Sequence, residues 1–168
     1  GLIHEELSIS VLDHGFLFGD SVYEVVCTIG NQPCFLDKHL ERLFASANAI
    51  SLSIPHDKEW FREQLKITLD AADNAESYIR IIVTRGVGEI NIDPSTCHSP
   101  NIIIIVMDTS EYPESCYEKG ITVALVSIKR NSRDALNPNV KTGNYLNNVL
   151  AKVEANKLGA QDAIMVNP

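Results

Sequence analysis

The stretch SVYEVVCTIGNQPCFLDKHLERLFASANAI, residues 21–50, decides how the first part of the chain folds. Ser21–Ile29 is rich in β-branched residues and predicts a strand, and the Gly-Asn pair that follows is a turn signal. Gln32–Leu36 then predicts the returning strand. Asp37 is a suitable N-cap for a helix that runs to Ile50, with apolar residues at helical spacing. The sequence therefore predicts a β-hairpin followed at once by an amphipathic helix.

The rest of the chain continues to mix strand and helix patterns. The run at 101–107 is so apolar that we expect both faces of this strand to be covered. Gly159 is expected to cap the last helix. The expected elements are helices at Asp57–Ala72 and Asn144–Leu158 and strands at Ser77–Arg85, Asn101–Met107, Ile121–Ile128 and Asp162–Val166.

This order of elements predicts an α+β fold with two domains. Residues 1–108 form the first domain, the polar segment 109–119 is an irregular linker, and residues 120–168 begin the second. About fifty residues are too few for a comfortable core, and the strand at 162–166 ends where a turn and a returning strand are expected. We therefore expect the chain to be part of a larger protein, with further polypeptide after Pro168.

Composition excludes several classes of function. The 168 residues carry a formal net charge of −8, which argues against nucleic acid or an anionic membrane surface as the main partner. The longest strongly apolar run, Ile102–Met107, is too short to span a bilayer. The four cysteines form no CxxC pair, so reduced thiols in the cytoplasm are expected, with a Cys27–Cys34 disulfide as the minor alternative. The five histidines are dispersed and predict no metal site.

Lys141 is a candidate nucleophile. It lies in NPNVKTGNYLNN, residues 137–148, between a strand and a helix, where Pro138 and Gly143 restrict the backbone. A lysine amine removed from water loses its proton more easily and can attack a carbonyl carbon. The alternative is an ordinary solvated lysine in a loop.

Arg42 lies roughly opposite the apolar stripe of its predicted helix. This position is typical of a solvated arginine, and it predicts that Arg42→Ala costs little stability. If the second face of the helix meets another domain, Arg42 could instead bind an anion such as phosphate.

Tyr78 and Arg80 lie two residues apart on a strand and therefore point to the same face. Together they could bind a carboxylate, the arginine by its charge and the tyrosine by a hydrogen bond. The alternative is a polar sheet face in contact with water, and Tyr23 on the first strand has the same two interpretations.

Four stretches together resemble the class IV aminotransferases, the fold-type IV enzymes that use pyridoxal 5′-phosphate (PLP). They occur in the family's order and cover nearly the whole chain. The resemblance implies two α+β domains with PLP in the crevice between them, the second domain being incomplete here, and a homodimer. The matching stretches are DHGFLFGDSVYEVV (13–26), FLDKHLERLFASA (35–47), YIRIIVTRGVGEINIDP (78–94) and NPNVKTGNYLNNVLAKVEANKLGAQDAIM (137–165).

The resemblance also implies roles in binding the cofactor. Lys141 matches the lysine that becomes joined to PLP and carries a proton between substrate and cofactor. Arg42 matches the arginine that binds the PLP phosphate, and Tyr145 matches the tyrosine near the cofactor's phenolic oxygen. Family members continue beyond this point with a glutamate that pairs with the pyridine nitrogen and with loops that complete the phosphate site. The remaining C-terminal polypeptide is therefore an expected partner of this chain.

The implied reaction is transamination of an amino acid, most like the branched-chain subgroup, with 2-oxoglutarate and glutamate as the partner pair. Tyr78 and Arg80 match pocket residues of that subgroup, and Tyr23 lies where the family has an aromatic pocket residue. Phe18 stands where many branched-chain enzymes have tyrosine, which leaves aminodeoxychorismate lyase and D-amino acid aminotransferase open. Against the latter, GVGEINIDP lacks that branch's Arg-x-His motif. A non-catalytic domain that has lost the cofactor is the alternative from a different class.

Overall fold

The computed structural model describes residues 7–109 and 112–167. These residues form two compact units, one of 7–109 with 140–143 and the other of 112–139 with 144–167. The first unit contains helices α1 (His14–Phe18), α2 (Leu36–Ala49) and α3 (Lys58–Ala72), strands β1 (Ser21–Ile29), β2 (Gln32–Pro33), β3 (Ser77–Thr84) and β4 (Asn101–Asp108), and a 3₁₀ turn at Pro94–Thr96. The second contains α4 (Glu114–Lys119), β5 (Val123–Leu125), α5 (Leu146–Lys157) and β6 (Asp162–Ile164).

The first unit is built on an antiparallel sheet with strand order β2-β1-β3-β4. The predicted hairpin is confirmed, with Gly30 and Asn31 both at positive φ, 59° and 57°, as a tight turn between right-twisted strands requires. The returning strand is shorter than predicted, since regular pairing ends at Pro33. One more hydrogen bond follows Pro33, from the Cys34 N–H to the Cys27 carbonyl, and Phe35 then leaves the extended geometry for a left-handed conformation.

The start of α2 differs from the prediction. Phe35 is its N-cap and makes no side-chain capping hydrogen bond, so the expected cap by Asp37 is wrong. Asp37 lies in the first turn instead, where its carboxylate accepts a hydrogen bond from Arg62 at 2.6 Å. The helix predicted at Asp57–Ala72 is present as α3, and Asp57 is its N-cap, with a carboxylate that accepts from the Trp60 backbone N–H at 2.9 Å.

The main core lies between one face of the sheet and helices α2 and α3. Alternate residues of β3 are buried, as their period of two predicts. Strand β4 differs from the expectation that both its faces are covered: it is half-buried through Val106 and exposed at Met107 and Asp108. It is an edge strand, and Ile102, Ile104 and Val106 pack against the core. The buried core residues are Val22, Val26, Leu40, Leu43, Ala47, Leu52, Phe61, Leu65, Leu69, Ile79, Ile81 and Val83.

The second unit pairs β5 with β6 in parallel, with α5 between them in the chain. Both strands are shorter than predicted, with three paired residues each. Its buried cluster is small and consists of Val126, Ala151, Ala155 and Ala160. The segment 109–119 is not irregular throughout, because α4 occupies its second half. The expected domain boundaries at 108 and 120 stay a prediction.

Two properties bear on the environment of the chain. Within residues 7–109 and 112–167, no helix is long and apolar enough to cross a membrane. All four cysteines are free thiols, including Cys27 and Cys34, although the Cys34 backbone N–H donates to the Cys27 carbonyl across the hairpin.

Candidate active site

Lys141 is held at the edge of β1 by its own backbone. The Tyr23 N–H donates to the Lys141 carbonyl at 3.0 Å, and the Gly143 N–H donates to the Ser21 carbonyl at 2.8 Å. Between these two hydrogen bonds, Thr142 pairs with Val22 as an antiparallel bridge. Residues 141–143 are therefore attached to β1 by one isolated antiparallel bridge, which holds the lysine backbone on one side.

The Lys141 side chain lies against an aromatic ring. Its Nζ is 4.2 Å from the centroid of the Tyr23 ring, within the range of a cation–π contact. The Arg80 guanidinium carbon lies 4.7 Å from the same centroid. The Tyr23 side chain is buried, so one ring brings together three of the residues predicted for the site.

Arg80 carries a buried polar atom whose hydrogen-bonding capacity is not satisfied by any described residue. Within the part of the chain that the structure describes, its Nε is buried and has no hydrogen-bond partner. A buried N–H of this kind costs free energy unless something accepts its hydrogen bond. Tyr78 lies on the same face, as expected, because it pairs with Cys27 while Arg80 pairs with Val25, two residues along on β1. The geometry is thus suited to a carboxylate beside the lysine.

Arg42 is not the solvated arginine that the helical pattern favours. Its Nε and Nη2 donate to the two carboxylate oxygens of Glu24, at 2.5 and 2.7 Å. The Glu24 side chain is fully buried on β1, and His39 Nδ1 lies 2.8 Å from its Oε2. The premise for expecting little loss of stability in Arg42→Ala, a solvated arginine, does not hold, because the guanidinium compensates a buried charge.

The charge on Glu24 depends on these partners. Burial raises the pKa of its carboxyl, but hydrogen bonds from Arg42 and His39, together with their positive charges, outweigh burial and lower the pKa below the ordinary value. Glu24 is therefore ionised near neutral pH. The Arg42 side chain is about half exposed, so part of it is in contact with solvent.

A shallow groove of about 420 Å³ lies along the first turns of α2. It is lined by Phe35, Lys38, His39 and Arg42, so its polar groups are basic. A helix N-terminus adds partial positive charge, and such a surface favours an anion. This groove is the part of the first unit that suits a phosphate.

Tyr145 belongs to the second unit, where it is the residue that precedes α5. Its side chain is about 41% exposed. The structure therefore brings Lys141, Tyr23 and Arg80 together, places Arg42 at the basic groove, and leaves Tyr145 on the other unit.

Three residues of this site were not found by sequence reasoning. Glu24 could have been noticed, because it alternates with Val22 and Val26 on the buried face of a strand, where a carboxylate needs a partner. His39 lies one turn before Arg42 and shares that partner. Ser46 accepts a hydrogen bond from the Lys141 backbone N–H, and nothing in the sequence around it indicates that it belongs to the site.

The residues of the site do not resemble a metal centre. Among the described residues, no group of three His, Cys, Asp or Glu side chains could hold a metal ion. The chemistry of the donors is instead a lysine amine, guanidinium groups and tyrosine rings, which suits a phosphorylated carbonyl compound such as PLP.

Comparison with known proteins defines the family. The sequence model of the Amino-transferase class IV family matches residues 21–168, and the chain belongs to that family. A relative from Methanocaldococcus jannaschii, named "Putative branched-chain-amino-acid aminotransferase", is 38% identical over 97% of this chain and 56% of its own length. The D-alanine aminotransferase of Listeria monocytogenes is 30% identical over 96% of this chain and 55% of its own length. This chain thus spans about half the length of the relatives it matches.

Solved structures share the fold. The branched-chain amino acid aminotransferase of T.th. with pyridoxamine 5′-phosphate superposes with a TM-score of 0.92 at 26% identity, over 99% of this chain and 56% of the other. The 4-amino-4-deoxychorismate lyase of Pseudomonas aeruginosa gives a TM-score of 0.83 at 26% identity, over 96% of this chain and 58% of the other. The predicted fold-type IV aminotransferase architecture is confirmed.

Proposed function

We propose that this chain carries the lysine, the phosphate-binding arginine and part of the substrate pocket of a PLP-dependent aminotransferase. The observation that carries the proposal is the contact of Lys141 Nζ and the Arg80 guanidinium with one buried Tyr23 ring. An amine and a carboxylate receptor at one ring are what an amino acid substrate requires.

Each residue has a definite task in this proposal. PLP, when bound, withdraws electrons from the substrate carbon next to the carboxylate and so makes its proton acidic. Lys141 Nζ holds the cofactor in the resting enzyme, then takes that proton and returns it. The exposed part of the Arg42 guanidinium binds the phosphate, and Tyr145 lies near the cofactor's phenolic oxygen.

The substrate contacts come from the sheet. The buried Nε–H of Arg80 donates to a substrate carboxylate, and Tyr78 and Tyr23 form the wall beside it. The rings of Tyr23 and Tyr78 suit an apolar side chain, and a relative that is 38% identical is named a putative branched-chain-amino-acid aminotransferase, so we propose a branched-chain substrate with 2-oxoglutarate as acceptor. The enzyme acts in amino-acid metabolism of the cytoplasm, where free thiols persist, as a homodimer.

Two other reactions compete within the family. A D-alanine aminotransferase is among the relatives, and an aminodeoxychorismate lyase is among the structures with this fold. Arg80 suits all three substrates because each carries a carboxylate. Side-by-side assays with L-leucine plus 2-oxoglutarate, D-alanine plus 2-oxoglutarate, and aminodeoxychorismate distinguish them by product.

The experiment that tests the proposal is chemical trapping. PLP is added to the complete protein, the sample is reduced with borohydride, and the modified residue is located by peptide mass. We expect PLP on Lys141 and a loss of transamination by many orders of magnitude in Lys141→Ala. PLP trapped elsewhere, or a Lys141→Ala variant within tenfold of the wild-type rate, would refute the role of Lys141. A wild-type protein that neither traps PLP nor transaminates would favour a non-catalytic domain.

A further inference from the structure

We propose that Ser46 is the residue that sets the position of Lys141, and that α2 thereby fixes the lysine relative to Arg42. This inference rests on the proposed function of Lys141. The Lys141 backbone N–H donates to Ser46 Oγ at 3.2 Å, across 95 positions of sequence. The Ser46 side chain is buried, so water does not compete for this contact.

The hydrogen bond that Ser46 accepts satisfies a backbone group of Lys141 that the bridge to β1 does not use. At the bridge beside β1, the Lys141 carbonyl and the Gly143 N–H make hydrogen bonds to β1, whereas the Lys141 N–H donates to Ser46 Oγ on α2. An unpaired N–H at a half-buried position is costly, and Ser46 is the group that accepts its hydrogen bond. The lysine backbone is therefore held from both sides, by β1 and by α2.

The place of Ser46 on its helix gives the contact a functional meaning. Ser46 follows Arg42 by four residues, and residues at this spacing lie on the same side of a helix. One rigid helix thus bears the arginine proposed for the phosphate and the hydroxyl that fixes the lysine. A bound PLP must reach both groups at once, so this spacing decides whether Lys141 Nζ meets the cofactor's carbonyl carbon.

Helix stability does not explain why residue 46 is a serine. It lies in the interior of α2, where alanine has the higher helix propensity. Ser46→Ala therefore removes the acceptor without weakening the helix, which makes it a clean test. Ser46→Thr keeps a hydroxyl in place, and Ala47→Gly, at the next buried position, weakens the same helix without touching Lys141.

The test uses the complete protein and two measurements. In the cofactor-free protein, hydrogen exchange at the Lys141 amide should be about tenfold faster in Ser46→Ala, whereas Ala47→Gly should leave it near the wild-type rate relative to the rest of the first unit. With PLP, borohydride trapping on Lys141 should be about tenfold slower in Ser46→Ala and should recover in Ser46→Thr.

The outcomes separate the two proposals. If wild-type protein traps no PLP on Lys141, the proposed function fails, whatever Ser46 does. If wild type traps PLP normally and Ser46→Ala shows unchanged exchange at Lys141 and unchanged trapping, the positioning role of Ser46 is overturned. A slowing in Ser46→Ala that Ala47→Gly reproduces in full would also overturn it, since helix weakening alone would then explain the effect.

Discussion

Replacing Arg42 with alanine should destabilise the first unit strongly, through Glu24. The substitution leaves the fully buried Glu24 carboxylate without the guanidinium that pairs with both its oxygens. Removing one partner of a buried ion pair typically costs about 3–5 kcal/mol. His39 remains 2.8 Å from the carboxylate and compensates in part, so we expect the lower end, about 3 kcal/mol.

Urea unfolding of the cofactor-free protein measures this loss. The sample contains no PLP, because a ligand that binds the native state would add its own stabilisation. With a slope of about 2 kcal/mol per molar urea, a loss of about 3 kcal/mol lowers the unfolding midpoint by about 1.5 M.

Arg62→Ala is the matched control. Arg62 is also a mid-helix arginine with two carboxylate partners, but Asp37 and Glu59 are both exposed. Exposed pairs contribute about 0–1 kcal/mol, so the midpoint should fall by about 0.5 M or less. If Arg42→Ala shifts the midpoint no further than Arg62→Ala does, the argument from the buried charge is refuted.

The pH dependence provides a second check. Because the folded protein lowers the pKa of Glu24, the stability from its ionised form is complete above the ordinary glutamate pKa. This contribution is lost as the pH falls through the lowered pKa. The gap in stability between wild type and Arg42→Ala should therefore be widest near neutral pH and should narrow in acid. In a Glu24→Gln background the gap should be small at every pH, because no carboxylate remains to be compensated.

Two further predictions concern turns and close contacts. A Cβ on Gly143 would lie 2.2 Å from Ser21 Oγ, so Gly143→Ala should lower stability by about 1–3 kcal/mol in thermal unfolding, and adding Ser21→Gly should restore much of it. A hydrogen bond from the Thr28 hydroxyl, with smaller contributions from backbone N–H groups such as that of Gly30, lowers the pKa of Glu76. The hairpin support from Glu76 is therefore complete above the ordinary glutamate pKa and is lost only as the pH falls through the lowered value. The Gly30 amide resonance should titrate below that ordinary value in wild type and not at all in Glu76→Gln; titration above it would contradict the assignment.

Local signals were sufficient for much of the fold. β-branched residues and a Gly-Asn turn are short-range features, and β1 and the hairpin turn were predicted from them. The range of α3 was also predicted to within one residue. Alternation also predicted that Tyr78 and Arg80 share a face. The start of α2 was mispredicted because Phe35 takes a left-handed conformation, which its sequence does not favour.

The contacts that define the site are long-range, and this is why the sequence did not show them. A helical wheel places Arg42 off the core stripe but does not reveal that its long side chain reaches a carboxylate on β1. Ser46 and Lys141 meet across 95 positions, and no local pattern links a serine in a helix to a lysine in a distant loop. The family resemblance supplied the roles of Lys141 and Arg42, and the structure adds the groups that hold them.

The pairing of Thr142 with Val22 also bears on how the protein is made. The two residues are roughly 120 positions apart, and closing a chain segment of that length costs about 4 kcal/mol of entropy. At about 5–20 residues per second, the ribosome adds the lysine about 6–24 seconds after β1 has been synthesised. During that interval the edge of β1 that later receives the lysine segment is an open strand edge, which is a template for incorrect pairing. The strand edge that holds the lysine segment is thus also a place where the nascent chain needs protection from aggregation.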